Sequence, residues 1–150
     1  MTTCVKLWCA SKDIWRHVVA KGKADKHDPQ FEIVFYENIL RHSPDFVEAL
    51  SALAELYTRA GRHVEGLSLD RRLEQLRPED PVILYNLACS CSLTGDVAGA
   101  FDILRRALDS GYQDLAYLEQ DPDLLNLLKD PGFQEYYRGQ KDKKGAARDL

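Results

Sequence analysis

The chain has 150 residues, 45% hydrophobic and 29% charged, which suits one compact domain. Its formal charge of -4 and pI near 5.6 exclude the basic character of a typical nucleic-acid module. No run approaches the roughly 18 apolar residues that mark a bilayer span, and Met1 to Ala10 lacks the apolar core of a signal peptide, so no membrane partner and a cytoplasmic location are expected.

Residues 1–10 read as an N-terminal extension. Between Ser11 and Lys21, Ile14, Trp15, Val18 and Val19 form an apolar stripe at helical spacing, which predicts a first helix. The polar run KGKADKHD ends it, and Asp28 with Pro29 offers an N-cap and first-turn proline for a helix to about His42 that buries Phe31, Phe35 and Ile39. Asp45 and Glu48 have capping-box spacing ahead of a helix that continues through Tyr57 and stops at Gly61. A partner helix follows from about Val64 to Leu76. Pro78, Asp80 and Pro81 punctuate the chain, Val82 to Leu93 makes the next helix, Gly95 and Asp96 the turn, and Val97 to Asp109 its partner. After Gly111 come Tyr112, Leu115, Tyr117 and Leu118; Asp121-Pro122 and Asp130-Pro131 can each start a short helix, and Leu124, Leu125, Leu127, Leu128, Phe133, Tyr136 and Tyr137 supply the apolar surface of a helical cap. Residues 138–150 (RGQKDKKGAARDL) lack apolar periodicity and are expected to form a disordered basic tail.

Two of these helix pairs repeat in register. Leu50, Leu53, Ala54, Tyr57 and Gly61 fall on Leu84, Leu87, Ala88, Cys91 and Gly95, each 34 residues on, and Gly66 falls on Ala100. Read upstream, Phe35 and Ile39 fall over Leu69 and Leu73, so a less regular unit precedes the two clear ones. Turns this short force antiparallel neighbours, and such pairs bury their stripes by stacking on the next pair.

Residues 47 to 114 resemble tandem tetratricopeptide repeats, with Leu50, Leu53, Ala54, Tyr57, Gly66 and Pro78 on the family's signature positions. Asp70 stands where the family favours a large residue and Leu73 where it favours alanine. The segment after Gly111 is similar to the C-terminal caps of bacterial proteins of this family. The resemblance implies an all-α fold, a short right-handed solenoid of antiparallel helix pairs in a single domain over 11–137. Its parts would be an irregular first pair at 11–44, repeats at 45–80 and 81–114, and a cap at 115–137.

For function, the resemblance implies a non-catalytic scaffold or adaptor that binds a protein or peptide segment in a groove lined by the first helix of each pair. The positions that map to this groove are Arg16, His17, Glu48, Ser51, Ala52, Glu55, Thr58, Arg59, Val82, Tyr85, Asn86, Cys89 and Ser92. Tyr85 and Asn86 are the foremost of these, because interface anchors tend to combine an aromatic body with polar tips. The version of the family that holds acidic chaperone tails uses lysine and asparagine where Ser51 and Glu55 stand here, and a glutamate there repels a carboxylate. The alternative is a self-associating subunit, joined through an N-terminal helix bearing Trp8 and Trp15 or through the cap, so the expected state is a monomer or weak homo-oligomer.

Nothing in the sequence points to a reaction or a cofactor. His17, His27, His42 and His63 share no metal-ligand spacing, and no phosphate loop or nucleophile elbow is present. Cys89 and Cys91 point about 200° apart on a helix and cannot share a metal. Cys4, Cys9, Cys89 and Cys91 are therefore expected to be ordinary reduced thiols, with Cys91 acting as a small core residue.

Overall fold

The structure is a computed structural model that describes residues 29–146. Among these residues there is no strand. Five long helices follow one another: α1 (Pro29–His42), α2 (Val47–Arg59), α3 (His63–Leu76), α4 (Pro81–Leu93) and α5 (Val97–Asp109). Each packs on the next along the chain. A capping segment follows, with α6 (Leu115–Leu118), a 3-10 turn (Pro122–Leu124), α7 (Leu125–Leu128) and α8 (Pro131–Ala146).

The 34-residue period of the sequence becomes a period of the backbone. Helix starts at Val47 and Pro81 are one period apart, as are those at His63 and Val97. The turns are equivalent bond for bond. Ala60, Gly61 and Arg62 donate backbone N–H groups to Leu56, Thr58 and Tyr57, and Thr94, Gly95 and Asp96 donate to Ser90, Ser92 and Cys91. Gly61 and Gly95 adopt φ of 74° and 86°, in the left-handed region where a Cβ is costly, and so satisfy the last carbonyls of α2 and α4.

Helix starts use different devices. Asp80 accepts from the N–H groups of Val82 and Ile83, Asp96 from Gly99, and Asp130 from Phe133, as expected of capping aspartates. The expected capping box at Asp45 is absent: the N-cap of α2 is Phe46, without a side-chain bond. Asp45 instead pairs with Arg72 of α3 at 2.7 Å, a tertiary attraction that draws its carboxylate away from the helix end.

Packing follows residue size. A Cβ added to Gly66 would lie 3.1 Å from Thr58 Oγ1 and 3.4 Å from the Ala54 carbonyl oxygen, so the small residue sets how closely α3 approaches α2. Leu50, Leu73 and Ile83 join α2, α3 and α4 in one buried cluster, which accommodates the leucine that departs from the repeat pattern. Between α1 and α2, Ile33 meets Leu53, Leu56 and Tyr57. Tyr57 Oη donates to Glu37 at 2.7 Å, and burial together with that carboxylate pushes its pKa up to about 12.

Two expectations are corrected at the ends. In α1 the buried residues are Glu32 and Ile33, whereas Phe31 and Phe35 are 67% and 50% exposed; the side of α1 that α2 covers is the opposite one. Helix α8 also runs to Ala146, beyond the expected boundary at 137. The Tyr137 hydroxyl donates to the Leu115 carbonyl, and Lys141, one turn further, pairs with Glu119, so residues on one face of α8 are anchored to α6. The expected helix at 11–21 lies outside the described residues.

Candidate functional site

The candidate residues occupy equivalent faces of α2 and α4, since 48, 51, 52, 55 and 58 precede 82, 85, 86, 89 and 92 by one period. On α2, Glu48 and Arg59 are exposed, while Ser51, Ala52, Glu55 and Thr58 are half-buried and reachable. On α4, Val82 and Asn86 are half-buried. Arg16 and His17 lie outside the described residues.

Tyr85, Cys89 and Ser92 depart from the expected open groove, being buried at 4%, 8% and 0% exposure. The capping segment covers them. Asp121, itself 4% exposed, accepts a hydrogen bond from the Tyr85 hydroxyl at 2.6 Å. The Cys89 thiol lies 3.8 Å from the same carboxylate oxygen, and Asn126 donates to the Ser92 carbonyl. Tyr112 stacks on Tyr85 with ring centroids 4.2 Å apart and planes 7° from parallel. Tyr85 is therefore an anchor, but for the chain's own cap.

The other oxygen of Asp121 accepts from the Asp123 N–H, so one carboxylate caps the 3-10 turn and ties it to α4. Burial, with Asp121 close by, raises the pKa of both Tyr85 and Cys89. The neutral phenol and thiol are favoured, and a thiol held protonated is poorly disposed to act as a nucleophile.

What stays accessible is a shorter face built from α2, the start of α4 and the cap edge. Tyr117 is 47% exposed and packs at a tilt on Tyr85, with centroids 6.2 Å apart. Burial raises its pKa, with Asp121, Cys89, Asp123 and Glu55 adding to the effect. Glu55 of α2 is thus in electrostatic reach of the cap, and His63 lies near enough to Asp123 to oppose the rise that burial causes there. Leu125 is a further exposed apolar side chain of the cap, at 51%. Sequence reasoning assigned Asp121 only a helix-capping role and counted Tyr117 and Leu125 among the cap's apolar residues, not among those of the groove. The excess of apolar residues after Gly111 was the available signal, but the period ends there and no longer indicates which side they face.

Among the described residues, no group of three histidine, cysteine or acidic side chains could hold a metal ion, and no helix is long and apolar enough to cross a membrane. The fold and the face define an all-α protein of paired helices with a helical cap. No protein-family model matches the chain. Over 80 residues it is 32% identical to a chloroplastic protein of Arabidopsis thaliana, an alignment that takes in 51% of this chain and 24% of that protein. The chain spans about a quarter of the length of that relative.

Proposed function

We propose that the chain is a non-catalytic protein-interaction module of the tetratricopeptide type, with a partner segment lying across the α2, α4 and cap-edge face. The observation that carries this reading is the bond-for-bond equivalence of the turns that join each of the two helix pairs, at a 34-residue spacing, the length of that repeat. Tandem units of this kind present the first helix of each pair on one continuous concave surface. Glu48, Glu55 and Asp123 make the accessible face acidic, with Arg59 at its edge, and Tyr117 gives it an apolar contact. A partner segment that places a lysine or arginine beside an apolar residue suits this combination. The aligned stretch of the Arabidopsis protein covers too little of that protein to bring its role to this chain.

The test is a capture from native extract with wild type and with a Glu48→Lys, Glu55→Lys variant whose helical circular dichroism is unchanged. Both positions lie on the accessible face and outside the buried core. A protein retained by the wild type and lost by the variant, and then shown to bind the purified chain directly, supports the reading. Equal retention by both, or direct binding unaffected by the two substitutions, refutes it.

A further inference from the structure

Helix α1 carries apolar residues on two opposite sides. Ile33, Tyr36 and Leu40 face α2 and pack with Leu53, Leu56 and Tyr57. On the other side, Phe31, Val34 and Phe35 fall within an arc of about 100° and are 67%, 44% and 50% exposed. An apolar strip of this size on one helix face calls for a cover.

The repeat register indicates what that cover is. Phe35 stands one period before Leu69 and two before Ile103. Leu69 packs against the cluster of Ile33, Leu53, Leu56 and Tyr57, three of whose four members belong to α2, the helix that precedes its own. Ile103 packs into the cluster containing Leu84, Leu87 and Cys91 of α4, again the preceding helix. By this register, Phe35 awaits a helix supplied by the chain just before Pro29. That stretch has the composition required, with Ile14, Trp15, Val18 and Val19 at helical spacing and a short polar connection over 22–28. At the position of Phe31 the later helices have Glu65 and Gly99, and at that of Val34 they have the exposed Ser68 and Asp102, so the register speaks for Phe35, and Phe31 and Val34, apolar in α1 alone, widen the surface beside it.

We propose that residues 11–21 dock as a helix on the Phe31, Val34 and Phe35 face of α1, in the same chain, and complete a first helix pair. A connection of about seven residues suits an antiparallel neighbour. Docked in register, this helix would add Arg16 and His17 to one end of the partner-binding face, a consequence that rests on the proposed function; the docking itself does not.

The two tryptophans of the chain, Trp8 and Trp15, both precede α1, so tryptophan fluorescence, excited selectively over the seven tyrosines, reports on this segment alone. In a Trp8→Phe background, the emission wavelength and acrylamide quenching of Trp15 are measured in the full chain and in a free peptide of residues 1–28. The mass of the full chain is followed by sedimentation over a dilution series. The expected result is a monomer whose Trp15 emission is blue-shifted and protected relative to the peptide. In a Phe31→Gln, Phe35→Gln variant of unchanged helicity, both readings move to those of the peptide. Phe31→Gln alone, at a largely exposed position, moves both readings in the same direction and serves if the double variant fails to fold. Peptide-like emission in the unsubstituted full chain overturns the proposal, as does protection that neither variant alters. Protection that is lost on dilution as a dimer dissociates also overturns it and assigns the face to a second copy.

Discussion

Asp70 is the buried acid of the α3–α4 interface, and replacing it tests the energetics of the stack. It is 4% exposed and accepts a hydrogen bond from Ser90 Oγ at 2.5 Å. Burial raises its pKa from 3.8 to about 6, and the Ser90 bond only partly opposes this. The raised folded-state value means that the fold favours the protonated form. The associated stability is therefore present in full below about pH 4 and is lost as pH rises through about 6. The change corresponds to about 3 kcal/mol. Urea unfolding of wild type and Asp70→Asn, followed by circular dichroism between pH 4 and pH 7.5, isolates this contribution, because other titrating groups are common to both chains. Relative to the variant, the wild type should lose about 2.5 kcal/mol across that window, the remainder of the change falling below pH 4. A difference that stays constant with pH would refute the reasoning. One period on, the equivalent residue is Leu104, fully buried. Asp70→Leu should therefore stabilise the chain at pH 7 by about 2 kcal/mol, once about 1 kcal/mol is allowed for the Ser90 hydroxyl left without its acceptor.

Two further outcomes test the cap and the turns. Tyr85→Phe removes a buried hydrogen bond to a carboxylate and should cost about 2 kcal/mol in urea unfolding; a loss below about 0.5 kcal/mol would show that Tyr85 does not anchor the cap. Gly95→Ala places a Cβ on a residue with φ of 86° and should cost about 1 kcal/mol. An unchanged denaturation midpoint would show that the turn relaxes to another conformation.

Much of the helical layout was legible because it rests on local rules. Asp80 before Pro81, Asp96 after Gly95, and the glycines at 61 and 95 mark helix boundaries through bonds made within a few residues, and the structure places the helix ends where those signals stand. The face of Tyr85 was misread for the opposite reason. A repeat pattern indicates which side of a helix faces its neighbours in the ideal unit, but Asp121 and Tyr112, 36 and 27 residues away, decide that this side is covered. Asp45 shows the same limit: its spacing suits a cap, yet Arg72, 27 residues on, holds it.

The sequence by itself determined the helix pairs, their 34-residue register, the small-residue contact at Gly66 and the capping aspartates, since periodicity and short-range hydrogen bonding act along the chain. Only the tertiary structure decided which part of the candidate face remains open. The cap's apolar and aromatic residues gain more by burial against α4 than by exposure, and that choice depends on surfaces brought together from distant positions. It closes Tyr85, Cys89 and Ser92 and leaves Glu55, Asn86 and Tyr117 accessible.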